Sequence, residues 1–249
     1  MIELVNGFYI EGDMPVVYNK VLNSIILSDA HIGFEEEMTR KGIFLPRIQK
    51  KKFLDVVEKA IDVFKTNKII INGDLKHRLD GIGKQEKKDL EDVFMILRDK
   101  GVEIKLVKGN HDNYISIVTS KFDNVELVEY IEYENIVITH GHKEITPEQG
   151  KLYVIGHEHP RISLKDRLGF ARRFPCFFIT PLKNNSLLLV LPAVGGYQAG
   201  SDITLSHSAY MSNLMREHSI LEEAKPYIII EGEGIMELPK LKFLKDLIT

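Results

Sequence analysis

The sequence predicts an α/β fold, with a parallel sheet in its first half and a second sheet built largely from its C-terminal half. Two observations carry this. From Ser24 to Val107, apolar runs of strand length alternate with amphipathic helical stretches, the pattern that right-handed crossovers turn into a parallel sheet. Beyond residue 120 the apolar runs are short and have little helix between them. A chain of 249 residues can bury a sizeable core. No linker rich in Pro, Gly or Ser divides it, so one domain spanning 1–249 is expected.

Taken in order, Ser24-Ile25-Ile26-Leu27-Ser28 reads as a buried strand. Pro46 opens a helical stretch whose Leu54, Val57, Ile61 and Phe64 fall on one face. Lys68-Ile69-Ile70-Ile71-Asn72 is the next buried strand. A second helix carries Leu90, Val93, Phe94 and Leu97 on one side, with Gly101 as its stop. Glu103-Ile104-Lys105-Leu106-Val107 is the third strand. The later strands are Val125–Val128, Ile136–Thr139, Leu152–Ile155, Phe177–Thr180, Leu187–Leu191 and Tyr227–Ile230. Ser206–His218 is read as helical.

Composition excludes several classes. The net charge of −3 gives no global attraction to nucleic acid or anionic membrane, so such binding would be local. A single cysteine, Cys176, makes neither a disulfide nor a thiolate zinc cage, which fits a reducing cytoplasm. The start, Met1-Ile2-Glu3-Leu4, lacks the pattern of a signal peptide. The apolar runs are too short to span a bilayer, so no membrane role is expected.

Chemistry concentrates at five strand ends. The segments are Asp29-Ala30-His31, Gly73-Asp74-Leu75-Lys76-His77, Gly109-Asn110-His111-Asp112, Thr139-His140-Gly141-His142 and Gly156-His157-Glu158-His159. They hold seven of the nine histidines, which scattered core or surface histidines would not do. Ligands bind beyond the carboxyl ends of strands in open α/β sheets, so the segments can converge. Carboxylate, imidazole and amide oxygen together suit manganese, iron or zinc. A carboxylate can bridge two cations, and two cations clamp both the attacking and the leaving oxygen at phosphorus. An isolated Asp-X-His or Gly-Asp is more often a plain turn. The ordered set of five is far more specific.

That set, Asp-X-His, Gly-Asp, Gly-Asn-His-Asp, His-Gly-His and Gly-His-X-His, resembles the calcineurin-like metallophosphoesterase superfamily over residues 24 to 160. The resemblance implies a four-layer α/β/β/α sandwich with two mixed sheets. It implies one divalent metal on Asp29, His31, Asp74 and His159, and a second on Asp74, Asn110, His140 and His157. Manganese would be the first choice, with iron or zinc as alternatives. His111 matches the position that protonates the leaving oxygen, and the nucleophile would be a metal-activated hydroxide. Ser28–Phe34 and Gly73–His77 look most like the SbcD-type repair nucleases, where a histidine matching His77 positions the scissile phosphate. Lys41–Arg47 and Gly156–Pro160 resemble SbcD-related, ICC-like phosphoesterases of archaea and bacteria.

The function expected is hydrolysis of phosphodiester bonds in DNA, RNA or a nucleotide diester. A phosphomonoesterase or pyrophosphohydrolase for small nucleotides is the alternative within the class, and a non-catalytic metal-bound scaffold the alternative outside it. The length leaves little room for a DNA-capping domain or a segment docking an ATPase, so no ATPase partner is expected. A homo-oligomer is compatible with the sequence. His142 either touches substrate or supports His140. The basic stretch Arg161, Lys165, Arg167, Arg172 and Arg173 either guides phosphate, Arg161 and Arg172 above all, or is a solvated loop. Lys50-Lys51-Lys52 reads as an exposed helix face, Lys76 as pointing outward, and Gly195-Gly196-Tyr197 as a turn.

Overall fold

Strands that are apolar on both faces need a covering layer on each side. The computed structural model describes residues 1–165 and 170–245. Its first sheet runs β1 (Ile2–Val5), β2 (Phe8–Ile10), β3 (Val17–Asn19), β4 (Ser24–Leu27), β5 (Lys68–Asn72), β6 (Glu103–Val107) and β7 (Val125–Val128), in that spatial order. β4 to β7 are parallel, and β1 to β3 extend the β4 edge as an antiparallel meander. The helices of this half are α1 (Phe34–Arg40), α2 (Gln49–Phe64), α3 (Lys84–Asp99) and α4 (Ser116–Thr119).

The second sheet contains β8 (Ile131–Tyr133), β9 (Ile136–Ile138), β10 (Leu152–Ile155), β11 (Pro160–Lys165), β12 (Ala171–Pro181), β13 (Leu187–Val190), β14 (Ser201–Asp202), β15 (Lys225–Ile230) and β16 (Gly234–Glu237). Its order is β14-β11-β12-β13-β10-β9-β8, with β15 and β16 joined through β12. β9, β10 and β13 are parallel, whereas β12 pairs antiparallel with β11, β13 and β15. Both sheets are therefore mixed.

Strand alternation sorts the side chains into three cores. In β4, Ile25 and Leu27 point to the helices, where Phe53, Val57, Phe94 and Leu97 are buried. Ile26 points the other way, to Phe177, Val154 and Leu189 between the sheets. In β10, Leu152 and Val154 face that central core, while Tyr153 and Ile155 face the outer one. The outer core is closed by Leu214, Met215, Leu221 and Leu241. These sit on 3-10 turns and one π turn, so the fourth layer is made of short helical turns.

Some elements differ from expectation. α2 starts at Gln49, three residues after Pro46, because the buried Glu35 carboxylate accepts the Ile48 and Gln49 N–H groups at 2.8 Å and fixes the start there. Its buried face is Phe53, Val57, Ala60 and Phe64, with Leu54 and Ile61 only partly covered. Ser206–His218 is not one helix. It forms a 3-10 turn at His207–Ala209 and a π turn at Leu214–His218. Between them the Tyr210 hydroxyl is locked to the Thr204 backbone, and Glu158 takes the Met211 and Ser212 N–H groups that a helix would need. Among the described residues, no helix is long and apolar enough to cross a membrane.

Phe177 is fully buried between the sheets. Phe177→Ala is expected to cost about 3–5 kcal/mol of unfolding free energy, measured by urea denaturation of the metal-free protein.

Candidate dinuclear metal centre

β4, β5, β6, β9 and β10 all end on the same edge, and each hands its chain to one of the five segments. The loops after β4 and β5 are laced together: Asp29 N donates to Gly73 O, His31 N to Asp74 O, Ile32 N to Leu75 O and His77 N to Ile32 O. Asp29, His31, Asp74, His157 and His159 all have left-handed backbone, with φ of 59°, 49°, 53°, 64° and 45°. Such a conformation costs a residue with a side chain about 1–3 kcal/mol. Five together persist only because the surrounding hydrogen bonds over-determine them, and each turns a side chain back over the strand ends.

Asp112 supplies much of that determination. It is fully buried, and its carboxylate accepts Asp74 N at 2.7 Å, Gly109 N at 2.9 Å and Lys76 N at 3.2 Å. Burial, then the neighbouring Asp74 charge, pushes its pKa up to about 6. Glu86 plays the matching part for His77, accepting His77 N, Arg78 N and Gly83 N at 2.9 Å each. The side chain of Lys76, expected outside, is instead buried and donates to Arg78 O and Gly81 O. Those two carbonyls satisfy its ammonium where solvent cannot.

The side chains fall into groups whose potential ligand atoms lie within 4.8 Å of one another: Asp29, His31 and His159; Asp74, His140 and His157; and His31, His77 and His111. His159 Nε2 is 2.9 Å from Asp29 Oδ1, and His140 Nε2 is 3.2 Å from Asp74 Oδ2. His31 Nε2 stands 3.8 Å from the same Asp74 oxygen and 3.5 Å from His159 Nε2. Asp74 therefore lies between the two groups. His140 Nδ1 faces Asn72 O at 2.8 Å, which leaves Nε2 for the centre. The Asp29 carboxylate also accepts His157 N at 3.1 Å.

One buried atom of the site, Asn110 Oδ1, has no hydrogen-bond partner, and His140 Nε2 has the Asp74 carboxylate beside it. A buried acceptor left unpaired costs about 1–3 kcal/mol, and a cation would satisfy the Asn110 oxygen. Oxygen and nitrogen donors without thiolate fit divalent cations, so the residues suit two such ions. The electrostatics of His31 and His157 agree. Burial favours neutral imidazole and lowers His31 to about 3 and His157 to about 4, leaving lone pairs free for a metal. Burial also opposes charge on His140 and His159, but Asp74 for the first and Asp29 for both outweigh it, raising His140 to about 9. Burial raises Asp29 and Asp74 too, yet their histidine partners hold both low, so both stay ionised.

His111 and His77 lie on the open side. His111 N donates to Asp74 Oδ1 at 2.8 Å, and its ring Nδ1 meets His77 O. The His77 and His111 rings stack at 5.4 Å and 21°, and His77 Nδ1 is 3.3 Å from His31 Nδ1. Burial, then the field of His111, lowers His77 to about 4. His142 packs its ring 5.4 Å from His140 and 6.3 Å from His157. Arg161 Nη2 donates to Gln198 O at 2.7 Å, beside the centre. Arg172 is exposed, with its guanidinium over the Phe174 ring. Arg173 pairs with Asp202, and Arg167 lies outside the described residues.

Paired carboxylates and converging imidazoles at the strand ends of two facing mixed sheets make a site that could hold divalent cations. A family profile, calcineurin-like phosphoesterase, matches residues 22–174. The chain belongs to that family and is a phosphoric ester hydrolase. Its fold is similar to that of the nuclease MPE of Pseudomonas putida, with a TM-score of 0.66 and 19% identity over 93% of this chain and 94% of that one. It is more distantly similar to YfcE, a phosphoesterase from E. coli, with a TM-score of 0.43 and 13% identity over 87% of this chain and 98% of that one. No curated protein matches the sequence.

A Cβ on Gly109 would stand 2.2 Å from Asp74 Oδ1 and 2.4 Å from Asp74 N, both far inside contact distance. Gly109→Ala is therefore expected to displace Asp74 and abolish tight metal binding while circular dichroism stays native. Calorimetric titration with manganese checks this.

Proposed function

We propose that the protein is a dinuclear-metal-dependent phosphodiesterase of nuclease type, acting on DNA, RNA or a nucleotide diester. The observation that carries the reading is His77. It stands 3.3 Å from His31 and stacks on His111 at the open side of the centre, where it can hold a phosphate already bound there. A second imidazole at this rim serves a diester, whose non-bridging oxygens need a fixed orientation for in-line displacement.

Asp29, His31, Asp74 and His159 would hold one cation, and Asp74, Asn110, His140 and His157 the other. Manganese is the first choice of cation, with iron or zinc as alternatives, all three being compatible with mixed carboxylate, amide and imidazole donors. Two cations bound here supply charge neutralisation at phosphorus and a nucleophile at neutral pH. Asp74 keeps the two groups of ligands in register. His111, fixed through its backbone to Asp74 Oδ1, holds a proton at its ring for the departing oxygen. Asn72, through His140 Nδ1, keeps His140 Nε2 directed at the centre.

The test uses manganese-loaded protein with bis-p-nitrophenyl phosphate, p-nitrophenyl phosphate and single-stranded DNA. His111→Ala is expected to lower diester kcat by about 10²–10⁴ with metal content retained. His77→Ala is expected to harm diester cleavage more than monoester cleavage. Turnover of the monoester alone would contradict the reading.

A further inference from the structure

The centre has an aromatic flank. The Phe34 ring lies between His77, at 4.9 Å, and Tyr197, stacked on it at 5.5 Å and 19°. Tyr197 remains partly exposed, and its hydroxyl donates to Pro46 O at 2.6 Å, which fixes the ring plane. Its loop is fastened to the metal side of the sheet. Val194 N donates to Ser28 O and Gly195 N to Asp29 O, both at 3.0 Å, and Gly196 N donates to Gln49 Oε1 at 2.7 Å. Gly195, expected as a plain turn, leaves no room for a side chain: a Cβ would stand 2.9 Å from Ala30 O.

Two cations border the same loop. The Lys52 stem lies against Gly196, and Arg161 lies against Gly200 and Gln198 O. Among the described residues, neither has a carboxylate within ion-pairing distance, whereas neighbouring Lys50 is paired with Asp89 and Asp92. Lys52 is open to solvent, yet its ammonium is crowded. Burial lowers its pKa, with Glu231 opposing and the positive field of Arg161 adding to the effect. Lys52 and Arg161 thus flank one loop with no carboxylate paired to either, Glu231 and Asp202 acting on them only at longer range, and an anion on that loop would be neutralised there.

We propose that the Gly195–Gln198 loop, with Phe34, Lys52 and Arg161, is a nucleotide subsite taking the base and phosphate next to the scissile diester of a single-stranded nucleic acid. The proposal rests on the diesterase reading. The base stacks on the Tyr197 ring, which Phe34 backs from its other side, and the adjoining phosphate lies between Lys52 and Arg161, the combination by which single strands are held without sequence preference. A duplex keeps its bases stacked on one another and offers none to the Tyr197 ring.

The experiment measures binding of a fluorescein-labelled hexathymidylate to full-length, manganese-loaded His111→Ala protein by anisotropy. Adding Tyr197→Leu is expected to weaken binding about tenfold, whereas Tyr197→Phe, which keeps the ring, is not. Adding Lys52→Glu is expected to weaken binding and to lower the salt slope by about one. In proteins retaining His111, Tyr197→Leu should lower the ratio of oligonucleotide to bis-p-nitrophenyl phosphate cleavage about tenfold. Unchanged affinity in both Tyr197→Leu and Lys52→Glu overturns the subsite, as does equal binding of the same sequence in duplex form. If the parent protein cleaves no diester yet binds hexathymidylate through Tyr197 and Lys52, the subsite stands and the diesterase reading fails.

Discussion

The Asp74 carboxylate is the point on which the site is hung. Oδ2 lies 3.2 Å from His140 Nε2, 3.8 Å from His31 Nε2 and 4.0 Å from His111 Nε2, while Oδ1 accepts His111 N. One carboxylate thus faces groups delivered by β4, β6 and β9. It is held from behind by Asp112, which fixes the Asp74 backbone N–H, and it has left-handed backbone. Buried this deeply, a carboxylate ionises only among partners that repay its desolvation. Histidines provide part of that return, and the unpartnered Asn110 Oδ1 marks where cations would provide the rest.

The constraint reaches back to the fold. Asp29, His31 and Asp74 follow strands of the first sheet, whereas His140, His157 and His159 follow strands of the second. The two groups meet only while the sheets keep their relative position, set by the central core of Ile26, Ile70, Phe177 and Leu189. Direct ties reinforce it: Asn72 Nδ2 donates to Thr139 O and Val154 O, and His157 N to the Asp29 carboxylate. Glu158 anchors the His157–His159 segment on its outer side by accepting Met211 and Ser212 N–H. Packing and ligand geometry are therefore one property in this protein.

How much was legible in the sequence follows from the range of each interaction. Ser24–Ser28, Lys68–Asn72 and Glu103–Val107 were readable because both strand faces are apolar. The five segments were readable because their histidines have no use in a turn. The edge meander of β1 to β3 was not, since strands of three or four residues with alternating exposure resemble loops. α1 was missed because its seven residues bury only Glu35. The long-range roles of Asp112, Glu86 and Lys76 depend on which backbone groups the fold brings beside them. Tyr197 and its partner Pro46 stand 151 residues apart, so no local pattern joins them. Arg172 and Arg173 differ in their partners because strand alternation sends neighbours to opposite faces.

Counting the metals tests the account most directly. Elemental analysis of manganese-loaded protein, with anomalous diffraction to place the ions, should find two per chain roughly 3.5–4 Å apart. Asp74 should touch both, and Asn110 and His140 should touch one of them. A single ion, or ions placed away from Asp74, would contradict it.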